Sequence, residues 1–375
     1  MDDKETLLLK NNDRSGWLDT IIKLSIFALL YGCASEIRTI TETQFVYAYM
    51  KKNHNDTDAN NTYLMNELYG STEKAQNCLT NSTRGTDDYI QGLAADWTWY
   101  IELITYGFAV VVLIILDPLS DNIGRKPVLV YNLLFTAISF GLRAFVVYAD
   151  LGLNWYLLFC GIEGISGGTY LFNMACCTIL SNCTSPNGER PFMLSVFNAM
   201  LGFGMTFSQI AAGYLIKAVG FTLPYAISTG LMFIVCLCLL CTHTESKKRS
   251  TIKTSTLATS IFTFCTQPDA VIKDKRKLLF VYYLVFVLHV FPIASTVAIK
   301  ILFTLGFPFC WSSVHIGWYY AGEHFLELVL STFILKMFLL CMTLETVTII
   351  AFITTIASFI MFGFSTSDWM IYGGK

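Results

Sequence analysis

The chain has 375 residues, of which 54% are apolar, 15% are aromatic and only 14% are charged. A soluble protein carries about a quarter charged residues. The composition therefore excludes an ordinary cytosolic enzyme and a disordered protein. The 25 basic and 27 acidic residues nearly balance, so no polycationic surface is expected for nucleic acid. The composition therefore indicates an integral membrane protein, which is embedded in the lipid bilayer.

Apolar segments of about 20 residues, long enough for a helix to cross a ~30 Å hydrocarbon core, recur along the chain. They predict helices near residues 17–48, 98–117, 127–149, 155–181, 192–216, 221–242, 278–301, 314–337 and 345–364. A further helix begins near Trp369. The segments do not alternate as barrel strands do, so we predict an all-α polytopic membrane protein. Residues 1–16 are polar and lack the apolar core of a cleavable signal peptide.

Basic residues mark the cytosolic loops of a membrane protein. They concentrate in every second predicted loop, at 117–127, 182–191 and 243–277. The intervening loops at 150–154 and 217–221 hold a single lysine between them. The N-terminus is therefore predicted to be cytosolic, and the alternate loops are predicted to face the exterior or a lumen.

The polar loop at 49–97 lies on the predicted outer side and carries three glycosylation sequons, which require exposure on that side. The sequons begin at Asn55, Asn60 and Asn81. Of the twelve cysteines, only Cys78 and Cys310 fall in loops predicted to face this oxidising side. They are either a disulfide between the first and fourth outer loops or two free thiols, and the spacing alone leaves both open.

Six predicted helices, a charged linker and further helices form a two-bundle pattern typical of transporters. The predicted domains are a cytosolic N-terminus at 1–16, a six-helix bundle at 17–242, a cytosolic linker at 243–277 and a partial, about three-helix, bundle at 278–375.

The loop between the second and third predicted helices reads Asp117-Pro-Leu-Ser-Asp121-Asn-Ile-Gly124-Arg125-Lys126. Asp121 can cap a helix, Gly124 allows a tight reversal, and Arg125 and Lys126 hold the loop at the cytosolic face. The loop resembles the signature Gly-x-x-x-Asp-Arg-x-Gly-Arg-Arg of the major facilitator superfamily. In that superfamily the loop is a charge latch that stabilises one state of the transport cycle. Here the leading glycine is absent and Asn122 replaces the first arginine.

Three further stretches resemble the proton-coupled folate transporter family, solute carrier family 46. They are Thr43-Gln-Phe-Val-Tyr-Ala-Tyr, Ala212-Gly-Tyr-Leu-Ile-Lys-Ala-Val-Gly-Phe221 and Pro308-Phe-Cys-Trp-Ser-Ser-Val-His-Ile-Gly317. The resemblance runs from about residue 17 to the end. It implies a twelve-helix major facilitator fold of which this chain lacks the last three helices, and a Cys78–Cys310 disulfide. It also implies a carrier that works by alternating access without a cofactor or metal, rather than an enzyme.

Charged side chains within the predicted helices are costly in a bilayer and therefore indicate a function or a partner. Arg143 and Glu163 lie at similar depth on consecutive antiparallel helices. They are either a structural ion pair or part of a transport path.

His289 lies near the middle of the seventh helix, and Glu323 and Glu327 share a face of the eighth. Imidazole and buried carboxylate exchange protons near physiological pH, so these three are proton-path candidates, with an ordinary polar helix contact as the alternative.

Two positions depart from the family, whose members carry acids where this chain has Asn182 and Asn198. An amide releases no proton, so coupling would have to come from His289 and the glutamates, or be absent. The expected cargo is a small organic anion or folate-like solute. It would be moved with protons by uptake at the plasma membrane or by export across the lysosomal membrane.

Two other functions remain open. Gly164-Ile-Ser166-Gly-Gly matches a serine nucleophile motif, so an intramembrane protease using Ser166 is one alternative, although it would need a nearby histidine base. Packing of small residues explains the same glycines more simply. A membrane protein that does not transport is the other alternative.

Overall fold

The computed structural model describes residues 2–56, 84–184, 189–241 and 309–373, with part of 277–306. Side chains are described from Ile21 onward, apart from those of some helical residues that include Asp121 and Glu327. The predicted linker, except Lys277, lies outside the described residues.

All regular structure in these residues is helical, as predicted. The helices are α1 (Asp2–Asp56), α2 (Arg84–Ile123), α3 (Arg125–Tyr148), α4 (Leu153–Ser166), α5 (Gly168–Cys183), α6 (Glu189–Val219), α7 (Thr222–Cys241), α8 (Ser313–Cys341), α9 (Leu344–Gly363) and α10 (Asp368–Gly373). Residues 299–305 are also helical. The short α10 contains the predicted helix start at Trp369.

Five helical segments among the described residues are long and apolar enough to cross a membrane. They are Asp88–Leu116, Arg125–Tyr148, Met193–Val219, Thr222–Cys241 and Thr346–Gly363. Each overlaps one of the predicted spans, so the polytopic helical architecture is confirmed.

The predicted single helix at 155–181 is wrong, because the structure divides it into α4 and α5. Gly167 ends α4 with φ 82°, and Gly168 follows with φ 53°. Glycine adopts this left-handed conformation without the steric cost that a side chain imposes. The sequence analysis interpreted these glycines as packing residues, whereas here they break the helix.

The break leaves backbone groups without helical partners, which must be satisfied inside a membrane protein. The Asn132 side-chain amide of α3 donates to the carbonyls of Ser166 and Gly168, at 2.9 Å each. The Ser166 hydroxyl donates to the Glu163 carbonyl at 2.6 Å and accepts from the Gly168 amide at 3.1 Å. It also lies 2.9 Å from the Thr136 hydroxyl. Ser166 therefore acts as a local cap within the bundle.

Glycines allow the helices of the first bundle to pack closely. A Cβ atom added to Gly32 of α1 would lie 2.6 Å from the Leu201 carbonyl oxygen of α6. A Cβ atom on Gly164 of α4 would lie 2.6 Å from the Thr105 carbonyl oxygen of α2. Gly168, which has the GxxxG spacing from Gly164, has no such neighbour within 4 Å. Only the first glycine of that pair therefore serves in helix packing.

The first bundle meets the second where the end of α6 packs against the beginning of α8. A Cβ atom on Gly213 would lie 2.6 Å from the Ser313 carbonyl oxygen, and one on Gly317 would lie 2.6 Å from the Gln209 carbonyl oxygen. Leu302 of the 299–305 helix is buried in an apolar cluster with residues of α1 and α2. On the predicted topology, these contacts join the bundles at their outer ends.

Candidate functional site

A layer of charged side chains lies within the first bundle. Its members are Arg38 and Glu42 of α1, Arg143 of α3 and Glu163 of α4, and all four are buried. One apolar cluster includes Leu24 and Leu239, near the predicted cytosolic ends of α1 and α7, and a second includes Phe45 and Val146, near the outer ends of α1 and α3. The four charges therefore occupy the interior of the bundle between two apolar clusters.

The four side chains form a closed ring of ion pairs, which we name the charge ring. Arg143 Nη1 lies 2.8 Å from Glu42 Oε2, and Arg143 Nη2 is paired with Glu163 Oε2. Arg38 Nη1 lies 3.0 Å from Glu42 Oε1, and Arg38 Nη2 lies 3.7 Å from Glu163 Oε1. Two arginines and two glutamates make the ring electrically neutral, which is the arrangement that buried charges require.

Aromatic side chains complete the surroundings of the charge ring. The Tyr156 hydroxyl donates to Glu42 Oε2 at 2.6 Å and lies 2.5 Å from the Tyr225 hydroxyl. The guanidinium carbons of Arg38 and Arg143 lie 5.5 and 5.0 Å from the centre of the Phe140 ring, within the range of a cation–π contact. Hydrogen bonds and ring contacts thus fix α1, α3, α4 and α7 together.

The predicted contact between Arg143 and Glu163 is present, but the sequence analysis missed Arg38 and Glu42. Both lie in the first predicted span, four residues apart, where opposite charges on one helix face attract each other. That spacing within an apolar segment was the signal for a buried ion pair.

A second charged pair joins the helices of the second bundle. Lys300 Nζ lies 3.8 Å from Glu323 Oε1, and the two side chains are 12% and 10% exposed. The sequence analysis selected Glu323 and missed Lys300, which falls at the end of the predicted 278–301 span. His289 and the side chain of Glu327 lie outside the described residues.

Polar side chains also connect α1, α6 and α8 where the bundles meet. The Gln209 amide nitrogen donates to Glu36 Oε1 at 2.8 Å. The Trp318 Nε1 of α8 donates to the Tyr214 hydroxyl of α6 at 3.4 Å. This contact is next to the Gln209–Gly317 approach, so polar and close-packed contacts coincide at the interface.

The signature loop is a tight reversal, as predicted from its sequence. Gly124 separates α2 from α3 with φ 104°, and its amide donates to the Ser120 carbonyl at 3.0 Å. Arg125 is 8% exposed, and Lys126 Nζ donates to the Leu240 carbonyl at 3.3 Å. That carbonyl is at the C-terminal end of α7, where the helix dipole favours a cation. The side chain of Asp121 lies outside the described residues.

The remaining predicted sites are only partly described. Cys310 is disulfide-bonded, while Cys78 lies outside the described residues, so the identity of the partner stays a prediction. Asn55 is in the last turn of α1 rather than in a loop. Asn60 and Asn81 lie outside the described residues, and glycosylation stays a prediction.

The geometry around Ser166 does not support nucleophilic catalysis. Its hydroxyl contacts a backbone carbonyl, a backbone amide and the Thr136 hydroxyl. None of these groups can act as the general base that a serine nucleophile needs.

Three comparisons place the chain among known proteins. Residues 92–374 match the Major Facilitator Superfamily. The chain is 23% identical over 312 residues to the proton-coupled folate transporter of Rattus norvegicus, an alignment that covers 82% of this chain and 66% of the relative. It is 24% identical over 297 residues to the lysosomal proton-coupled steroid conjugate and bile acid symporter SLC46A3 of Rattus norvegicus, covering 77% and 63%.

The fold is similar to the crystal structure of the human organic anion transporter MFSD10 (TETRAN), with a TM-score of 0.60 and 15% identity over 94% of this chain and 80% of that one. The chain spans about two thirds of the length of the curated relatives it matches. A match over three quarters of the residues, in a helical chain with apolar helices and the signature loop, shows the family. The chain is a multi-pass membrane protein that belongs to the major facilitator superfamily.

Proposed function

We propose that the chain is a secondary carrier that moves a small organic solute together with protons by alternating access. The observation that carries the proposal is the Lys300–Glu323 pair, which connects two helices of the second bundle. Two bundles that meet through close-packed glycines support the same mechanism, because such contacts can separate and re-form as the bundles rock.

The Lys300–Glu323 pair has the properties of a proton switch. At 3.8 Å the two groups attract each other without the short hydrogen bond that Arg143 makes to Glu42 in the charge ring. Protonation of Glu323 removes its negative charge and weakens its hold on Lys300. A proton arriving at this carboxylate would therefore change how the 299–305 helix is held against α8. His289 and Glu327 remain candidates for the same path.

The charge ring has the opposite properties, and we propose a structural role for it. Each of its carboxylates is paired with both arginines, so protonation of one carboxylate would leave two buried arginines with a single negative charge between them. Arg143 and Glu163 therefore hold the first bundle together rather than exchange protons.

The names of the relatives suggest the class of solute. One is a folate transporter and another is a symporter of steroid conjugates and bile acids, both proton-coupled. We propose a small organic anion or folate-like solute as the cargo, with a plasma-membrane or lysosomal location. A membrane protein that does not transport remains the competing function.

The test is uptake of radiolabelled folate and taurocholate by proteoliposomes that contain the full chain, at external pH 5.5 and 7.5. We expect at least tenfold faster uptake of one of them at pH 5.5, and loss of this pH dependence in Glu323→Gln. Asp96→Asn, which removes an exposed acid of α2, is the control and should behave as wild type. Equal uptake at both pH values, unchanged by His289→Ala and Glu323→Gln, would contradict proton coupling. No uptake of either would favour the non-transporting alternative.

A further inference from the structure

One face of α2 carries an acid and a tyrosine that the proposed mechanism does not use. Glu102 and Tyr106 are one helical turn apart, so their side chains share a face. Thr105, next to them, is buried, while Leu103 and Val110, which lie within one turn of Tyr106, are exposed. Glu102 is therefore at the edge of the packed face and not at the centre of the lipid-facing side.

Tyr170 of α5 completes a small group with these two residues, which we name the acidic–aromatic recess (Glu102, Tyr106 and Tyr170). The ring centres of Tyr106 and Tyr170 are 5.7 Å apart with an interplanar angle of 66°. Tyr106 and Tyr170 are 44% and 46% exposed, so a solute can reach both rings.

The carboxylate of Glu102 has no ion pair or hydrogen bond within the part of the chain that the structure describes. Its charged neighbours, Arg38 and Glu42, belong to the charge ring, where each is already paired. The neutral ring therefore leaves the negative charge of Glu102 unbalanced. An unpaired carboxylate within the depth of a membrane is costly, which marks it as a functional group.

The two tyrosines favour a cation as the group that balances this charge. The face of an aromatic ring carries partial negative charge and attracts ammonium groups, and rings set at an angle to each other can both contact one such group. A carboxylate beside two accessible rings matches a quaternary or protonated amine and repels an anion.

We propose that Glu102, Tyr106 and Tyr170 bind a cationic group of the transported solute, a quaternary or protonated ammonium. This inference rests on the proposed function only in that a solute reaches the recess during transport. It extends the solute class: besides small organic anions, the carrier would accept solutes that bear an ammonium group.

The test uses choline as the probe and 3,3-dimethylbutan-1-ol, its uncharged isostere, as the matched compound. Binding to the purified full chain in nanodiscs is measured by thermal stabilisation, which does not require transport. We expect choline to stabilise the protein saturably and the isostere to have no effect at the same concentrations. Glu102→Gln should weaken choline binding at least tenfold, and Tyr106→Leu should weaken it several-fold.

Two control variants separate the recess from general effects. Tyr106→Phe keeps the ring and should retain binding, and Asp96→Asn removes an exposed acid from the same helix and should bind as wild type. Equal stabilisation by choline and its isostere, or unchanged binding in Glu102→Gln, would overturn the proposal. Absence of choline binding alongside proton-driven folate uptake would overturn it while leaving the proposed function intact.

Discussion

The two bundles hold their buried charges in different ways. In the first bundle, two arginines and two glutamates pair in a closed ring, with Arg143 Nη1 2.8 Å from Glu42 Oε2 and the Tyr156 hydroxyl 2.6 Å from the same oxygen. In the second bundle, Lys300 Nζ lies 3.8 Å from Glu323 Oε1. A closed ring satisfies every charge several times and resists change. The longer Lys300–Glu323 contact is weaker, so a change in the protonation of Glu323 disturbs it more easily.

This contrast suggests how a carrier of this kind divides its tasks. The first bundle is held as one unit, since the charge ring joins α1, α3 and α4. We propose that the second bundle contains the adjustable element, because Lys300 and Glu323 belong to different helices and a proton on Glu323 would weaken their attraction. The predictions below test this division, beginning with the largest expected effect on stability.

Breaking the charge ring should cause the largest loss. Arg143→Met leaves Glu42 and Glu163 buried with too few cations, and we expect a loss of about 3–5 kcal/mol in the free energy of unfolding. The measurement is reversible unfolding of the purified protein in detergent. Adding Glu163→Met to this variant restores neutrality and should recover at least half of the loss.

The matched control for that loss is the exposed Lys52–Asp150 pair, whose side chains are 31% and 60% exposed. Lys52→Met should cost less than about 1 kcal/mol, because an exposed pair is screened by water. Similar losses in Arg143→Met and Lys52→Met would contradict a stabilising role for the charge ring.

The contact between the bundles is the next most sensitive point. Gly213→Leu forces a side chain against the Ser313 carbonyl, and we expect a cost of about 1–3 kcal/mol from overpacking. It should also hold the bundles apart at this end, which labelling of a cysteine introduced at Ser313 would detect as faster reaction. Gly230→Leu, where an added Cβ meets nothing within 4 Å, is the control. Unchanged labelling in Gly213→Leu would contradict the assignment of this contact as the interface.

Neutralising the second bundle's acid should have a smaller effect on stability. Glu323→Gln keeps the side-chain shape and its ability to form hydrogen bonds but removes the charge that attracts Lys300, so we expect a loss of about 1–2 kcal/mol. The same unfolding measurement checks it. A loss as large as that of Arg143→Met would show that the two bundles do not differ in how strongly they hold their buried charges.

The smallest effect is expected at the helix break. Ser166→Ala removes the hydroxyl that caps α4 and contacts Thr136, at a cost of about 1 kcal/mol. Transport should continue, since the hydroxyl has no chemical role. Ser208→Ala, which removes one hydrogen bond to the Met205 carbonyl, is the control. Proteolytic activity that is present in the wild type and absent in Ser166→Ala would contradict the structural role.

Much of the fold could be predicted because its causes are local in sequence. Long apolar segments give the helices, and the Gly124 turn follows from the signature loop. The depths of Arg143 and Glu163 in the membrane follow from counting residues from the nearby loops. The contact between these two residues could therefore be predicted. The break at Gly167 could not be predicted in this way, because glycines that pack helices and glycines that end them have the same spacing.

The rest of the site depends on contacts between distant segments. Arg38 and Glu42 were visible as a pair in sequence, but their partners are more than 100 residues away, and helix rotation decides which side chains meet. In the sequence, Lys300 is at the end of a predicted helix, where a lysine is common. Only the packing of the 299–305 helix against α8 places it near Glu323. Glu102 and Tyr170 likewise approach through tertiary packing.

The most direct test of the proposed mechanism is proton movement driven by the solute. Proteoliposomes containing the chain and a pH-sensitive dye are given folate or taurocholate without an imposed pH gradient. We predict acidification of the interior during solute entry in the wild type and in Asp96→Asn, and none in Glu323→Gln. Solute entry without acidification, or acidification that persists in Glu323→Gln, would contradict the assignment of Glu323 as the proton carrier.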